Sequence, residues 1–516
     1  MIKKAEILIA LFAILGLCTA SLQASRIITV DDDGPADFNN IQAAIDDANN
    51  GDTIIVADGT YTGVGNRDID FLGKEITLRS ANGPEHCIID CNGTESEPHR
   101  GFYFHNGEDS NSVLDGLTIT NGYGPKKNGD LLPQGGAIYC IGSSPTIGNC
   151  TFTGNCAEFG GSIGCHQSSA CILNSTFTGN FANDWGGGLC FWEGNPIVTH
   201  CIIANNTSGR EGGGIFYGGN QNPTISYCTI SGNSTGGDFG GGGICMITGI
   251  GTTAARISNC TISRNTANYS GGGIRLDGPY THSTLANVTI ANCIITENSD
   301  EYSGGGIAFW CGSYVVENCT ISANTTSQSR FGSSIYCDDS NVRITNSILW
   351  SPVYGYEIVL VSMLVGFPTE SVLEISYSDV DGGQSEVFMG PYDCTLNWGT
   401  GNIDSDPCFA DPCNGDYHLK SQAGRFDANS ESWVQDDVSS PCIDSGDPVS
   451  PIGLEPFPNG GRVNMGAYGG TIEASKSYFG KPLCETIVAG DVNGDCVVNF
   501  LDFRLMALHW CEDNRE

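Results

Sequence analysis

The densest set of oxygen ligands in the chain is the run Asp491-Val492-Asn493-Gly494-Asp495-Cys496-Val497-Val498-Asn499-Phe500-Leu501-Asp502. Asp491, Asn493, Asp495, Asn499 and Asp502 occupy positions 1, 3, 5, 9 and 12, and Val497 can offer its carbonyl at position 7. That spacing lets one short loop surround calcium, a hard cation that prefers oxygen. Phe503, Leu505, Met506, Leu508 and Trp510 follow at the spacing of a helix leaving the loop. Calcium is therefore the cofactor this segment predicts.

A second constellation is spread through the middle of the chain. Strand parity predicts that the residues one and three places after each Gly-Gly-x-Ile isoleucine face outward. This gives Tyr139, His166, Trp192, Phe216, Arg275, Asp277, Trp310, Tyr336 and Asp338 on one wall. Aromatic faces beside carboxylates suit sugar rings, because the ring face stacks while the hydroxyls bond to acids. Trp192, Arg275, Asp277, Trp310, Tyr336 and Asp338 are the candidate substrate-binding residues, with Arg275 and Asp277 the first pair to mutate. An ordinary surface ion pair accounts for Arg275 and Asp277 equally well, so no catalytic residue is assigned.

These side chains hang on a repeat. Between Leu117 and Trp350 the chain restates a unit of the form Asn-Cys-Thr-Ile-Ser-x-Asn, a polar turn, Gly-Gly-Gly-Ile and another apolar strand. The Gly-Gly-x-Ile punctuation ends at Ile138, Ile163, Leu189, Ile215, Ile244, Ile274, Ile307 and Ile335, with a period drifting from 25 to 33 residues. A unit this small cannot bury its own apolar face and must stack on its neighbours. Alternation at period two, as in Ile225, Cys228, Ile230, Ile244 and Met246, predicts about three short strands per unit. Two asparagine columns, Asn149 to Asn346 before one strand and Asn155 to Asn324 after it, read as structural ladders at bends. Ile41, Ala44, Ile45 and Ala48 have helical spacing and predict a cap over the open end of the core.

The runs Ile41-Gln42-Ala43-Ala44-Ile45, Gly51-Asp52-Thr53-Ile54 and Gly59-Thr60-Tyr61, with the glycine-punctuated coils, resemble the right-handed parallel β-helix superfamily. That superfamily includes pectate lyases, pectin esterases and polymorphic outer-membrane proteins. The likeness covers most of residues 27–473 and implies an all-β, right-handed parallel β-helix solenoid with an N-terminal capping helix. It specifies fold far better than activity. The runs that serve its hydrolases (Asn-Thr-Asp, Gly-His-Gly, Arg-Ile-Lys) and its lyases (Trp-x-Asp-His, Arg-x-Pro-x-x-Arg) are absent. The loop at 491–502 resembles one half of a type I dockerin, an EF-hand module that docks on cohesin partners. Cys496 replaces its turn glycine, and this chain carries one loop where a dockerin has two.

Residues 1–24, with Lys3, Lys4, an apolar stretch and Leu22-Gln23-Ala24, have the pattern of a secretory signal peptide. No later segment is long and apolar enough to span a membrane. The domain order predicted is signal peptide 1–24, β-helix 27–473, linker 474–486 and calcium-loop module 487–516. With 22 Lys and Arg against 58 Asp and Glu, nucleic acid is disfavoured as a partner. Of the 24 cysteines, Cys150, Cys201, Cys228, Cys260, Cys293 and Cys319 share one inward position and are expected to be reduced; Cys87 with Cys91 and Cys408 with Cys413 are expected bridges.

The expectation is an exported, extracellular or cell-surface protein that binds polysaccharide and carries a calcium-dependent docking or sorting module, with a cohesin-like or cell-surface partner. The alternatives are a polysaccharide lyase or glycoside hydrolase, and a structural adhesin-like surface protein.

Overall fold

The structure is a computed structural model that describes residues 25–125, 134–237, 239–249, 254–279, 287–327, 332–351, 355–362, 370–479 and 498–509. The signal-peptide reading of 1–24 and most of the calcium loop lie outside these residues.

Successive units wind as parallel rungs. Each coil contributes one strand to each of three long sheets, as in Ile163–His166, Cys171–Leu173 and Thr176–Thr178. These belong to what we call the front, back and side sheets, of twelve, fourteen and twelve strands among the described residues. All neighbours pair in parallel and in register, so Ile163 lies between Ile138 and Leu189, and Ile274 between Ile244 and Ile307. A fourth, seven-stranded corner sheet, from Cys156–Phe159 to Thr325–Thr326, precedes the glycines. The sequence pattern missed it because its strands shrink to two residues, too few for alternation to register.

The repeat isoleucines fill one continuous interior with the aliphatic residues of the other sheets. The cap helix α1 (Ile41–Asp47) buries Ile41, Ala44 and Ile45 against this core, and the Asn40 side chain caps it by accepting from the Ala43 amide at 2.9 Å. The cysteine column is buried, and each thiol donates to the carbonyl two residues before it at 3.1–3.3 Å. The bridges expected for Cys87 with Cys91 and Cys408 with Cys413 are not formed. Cys87 and Cys91 are instead buried apolar packing.

The two asparagine columns do different work. Asn149, Asn174, Asn259, Asn292, Asn318 and Asn346 sit in the left-handed region with φ of 48–53°, which asparagine tolerates. The second column is buried and forms an amide ladder: each Nδ2 from Asn155 to Asn298 donates to the Oδ1 of the next rung at 2.9–3.1 Å.

The parallel stack ends at Cys394–Trp398, earlier than expected. Within the expected β-helix range, residues 404–477 fold differently. Phe409–Asp411 pairs antiparallel with Asp416–Leu419, and Arg425–Asp427 antiparallel with Ser432–Val434. This tail folds back on the outer face of the side sheet, where Tyr417, Met465 and Ala467 pack against Ile294 and Ile348. Asn292 and Asn318 latch it by donating to Ala467 and Gly469 carbonyls at 2.8–3.1 Å. No described helix is long and apolar enough to cross a membrane.

Candidate functional site

The front sheet presents two outward columns, one and three residues after each inward isoleucine, as parity requires. The nearer column is not open to solvent. Phe216, Arg275 and Tyr336 are buried, because the corner turns fold over this edge and supply a second wall. In the farther column Trp192 and Trp310 are half-buried, whereas Asp277 and Asp338 are buried as well. The expected flat ligand wall is therefore a trough filled by its own side chains between the front sheet and the corner, with Trp185, Trp192 and Trp310 half-buried along its outer line.

The corner wall is itself a ladder. Trp185, Glu211, Gly240, Ser270 and Ser303 succeed one another by parallel bridges, one per rung. Trp185 stacks on Phe216 at 5.0 Å and on Trp192 at 5.5 Å, and Phe159 joins at 4.9 Å. These rings make one aromatic platform. Gly218 makes room for it: a Cβ there would lie 2.8 Å from the Trp192 ring.

Two rungs beyond Phe216, Arg275 and Asp277 share a strand and form a nearly closed ion pair, with Nε and Nη2 of Arg275 donating to the carboxylate at 2.9–3.2 Å. Nη1 donates to the Phe239 carbonyl at 2.5 Å, and the guanidinium lies 5.3 Å from the Trp310 ring centre. Burial lowers the Arg275 pKa, but Asp277 more than offsets this and the net shift is upward. Arg275 is a fixed cation with its donors engaged. On the next rungs Trp310 meets Tyr336 at 5.6 Å, and the Tyr336 hydroxyl donates to Asp338 at 3.3 Å. Arg275, Asp277, Trp310, Tyr336 and Asp338 thus converge on three adjacent rungs. Trp192 stands three rungs away, about 14 Å at the spacing of paired strands.

Between the platform and the ion pair stands Glu211. It is buried, and its Oε2 has no hydrogen-bond partner among the described residues. Burial pushes its carboxyl up to about 7, with Arg275 pulling it down and Asp277 pushing it up. Gly240 beside it has no side chain to cover it. A carboxyl that titrates near neutrality and carries an unengaged oxygen can give or take a proton. Sequence reasoning missed Glu211, although it is an acid standing directly before a glycine triplet where neighbouring units carry Trp185, Ser270 or Ser303.

Of the calcium-loop positions, Asp491, Asn493, Asp495 and Val497 lie outside the described residues. Asn499 and Asp502 are described at the start of α2 (Phe500–His509), where Asp502 accepts from the Asn499 amide at 2.6 Å and Asn499 Oδ1 from the Leu501 amide at 2.7 Å. Both are oxygen donors of the kind calcium takes, here also capping the helix. At the N-terminus Asp31, Asp32 and Asp33 bring carboxylate oxygens within 4.8 Å of one another, and Asp31 accepts from the Asp33 and Gly34 amides.

No curated protein matches the chain. Residues 136–313 match the family described as "Right handed beta helix region", and residues 388–446 match "Disaggregatase related". Among solved structures, the chain is similar to the A-module of Azotobacter vinelandii mannuronan C-5 epimerase AlgE4, at 16% identity and a TM-score of 0.43, over 70% of this chain and 95% of that one. It is also similar to pectate lyase Pel9A, at 14% identity and a TM-score of 0.39, over 87% and 97% of the two chains. Alginate lyase AlyF-OU02 in complex with G6 follows at 12% and 0.40, over 77% and 88%. With its parallel rungs and the matched repeat region, the fold is a right-handed parallel β-helix.

Proposed function

We propose that the protein acts on a polysaccharide held along the trough, with Glu211 as the proton-transfer group. One observation carries this: a buried carboxyl held near neutrality, with an unengaged oxygen, set between an aromatic platform and a fixed cation. Trp185 and Trp192 offer faces for sugar rings. Asp277, Tyr336 and Asp338 are buried and hold Arg275 and Trp310 in place, and Arg275 supplies a positive charge beside Glu211 for a carboxylate or a developing oxyanion. The reaction class is lyase or hydrolase. The proton abstracted beside a uronate carboxylate, or delivered to a glycosidic oxygen, would pass through Glu211.

The test is turnover of acidic and neutral polysaccharides, followed by unsaturated product and by reducing ends. Glu211→Gln keeps the shape and removes the titration, so kcat should fall by at least roughly 100-fold with the circular dichroism spectrum unchanged. Equal turnover by wild type and variant would end the proposal. A pure binding protein is the second reading, favoured by Arg275, whose donors are already taken; it predicts binding without turnover.

Export through residues 1–24 and calcium-dependent docking through 487–516 complete the reading. Their support is the leader pattern and the oxygen spacing of the loop.

A further inference from the structure

A cavity of about 700 Å³ lies where the returning tail meets the side sheet, on a different wall from the trough. Its volume is within the range of small-ligand sites. The solenoid contributes Trp350 and Glu297, and the tail contributes Asp406, Tyr417, Lys420 and Asp437. The Tyr417 hydroxyl is fixed by Thr296 Oγ1 at 2.5 Å, which ties the tail to the solenoid beside the cavity. Glu297 is neutralised by Arg264 at 2.5 Å. Lys420 makes no ion pair among the described residues, although Asp406 and Asp437 line the same space.

We propose that this cavity binds a unit or chain end of a neutral saccharide, as a second site independent of the trough. The Trp350 ring offers an apolar face of sugar size. Around it stand Lys420 and the carboxylates of Asp406 and Asp437, not ion-paired with one another among the described residues, and a molecule carrying several hydroxyls can link them by donating to the acids and accepting from Lys420. With Glu297 neutralised, two carboxylates face one ammonium, so the local field opposes a uronate. A polysaccharide anchored here would keep a further stretch of itself near the trough, raising its effective concentration there.

Isothermal titration of the full chain with cellopentaose, xylopentaose and pentagalacturonate tests this. Neutral oligosaccharide should bind saturably, and binding should persist in Trp192→Ala, which alters only the trough. Lys420→Ala, and Val438→Trp placed at the exposed rim to fill the mouth, should each weaken it by at least about tenfold, or about 1.4 kcal/mol. The proposal is overturned if wild type binds neither neutral probe, if only pentagalacturonate binds, or if Trp192→Ala abolishes binding while Val438→Trp leaves it intact. Loss of turnover in Glu211→Gln would not bear on this result.

Discussion

At the scale of single residues, the trough depends on which neighbours leave space. Gly218 lies under the Trp192 ring, and a side chain there meets the ring edge at 2.8 Å. Gly218→Val should therefore tilt Trp192 out of the platform, change its fluorescence and weaken glycan binding severalfold, while Glu211 remains in place. Arg275 and Asp277 are a different case, since both are buried and each is the other's main partner. Asp277→Ala leaves a buried guanidinium with a lost partner, and such breaks cost roughly 3–5 kcal/mol. Chemical denaturation would read this as a large fall in midpoint. A change under about 1 kcal/mol would mean that the Phe239 carbonyl and the aromatic rings suffice to hold the cation.

At the scale of elements, the amide ladder holds the corner that precedes the glycines. Asn233 accepts at Oδ1 from both the backbone and the side chain of Asn206, and its Nδ2 donates to the Ile203 carbonyl at 2.8 Å and to Asn265 at 2.9 Å. Asn233→Ala orphans several buried groups at once, so a loss of at least about 2 kcal/mol is expected. The same change at an exposed loop asparagine such as Asn195 should cost far less. Thermal melts of the two variants would separate a ladder from a collection of unrelated turns. The glycines after this ladder are fixed by contact as well as by conformation: a Cβ on Gly213 would lie 2.4 Å from the Gly242 carbonyl oxygen of the next rung. That close approach explains why most units place two or more glycines at this corner.

At the scale of the whole molecule, buried carboxylates set the response to pH. Burial pushes Glu357, Asp379 and Glu455 each up to about 7. In the unfolded chain the same groups titrate near 4. Between those values the folded protein binds more protons than the unfolded chain, so stability falls as pH rises from about 4 through 7. Asp52 shifts the other way: burial raises its pKa, but hydrogen bonds from the Asn49 and Arg26 amides and the Arg26 side chain bring it below normal, and that contribution is lost as pH falls through the folded value. The melting temperature should therefore be higher at pH 5 than at pH 8. A melting temperature that rises steadily from pH 5 to pH 8 would contradict these burials. The formal charge of −36 acts in the same direction, since self-repulsion grows as the carboxyls ionise.

The sequence by itself determined the coil. Period-two alternation, glycine punctuation and recurring asparagines leave one arrangement in which every small unit can bury its apolar face, and the rungs, the cap helix α1 and the pairing of Arg275 with Asp277 follow from it. Tertiary structure decided what the outward residues face. Parity tells which side of a strand a residue is on, but not what lies across from it. Only when the corner turns fold over the front sheet do Phe216 and Tyr336 become a floor and Glu211, from a different column, become a neighbour of Arg275. The tail shows the same division: packing on Ile294 and Ile348 sets its antiparallel hairpin on a side wall, because that outer face carries apolar residues in need of cover.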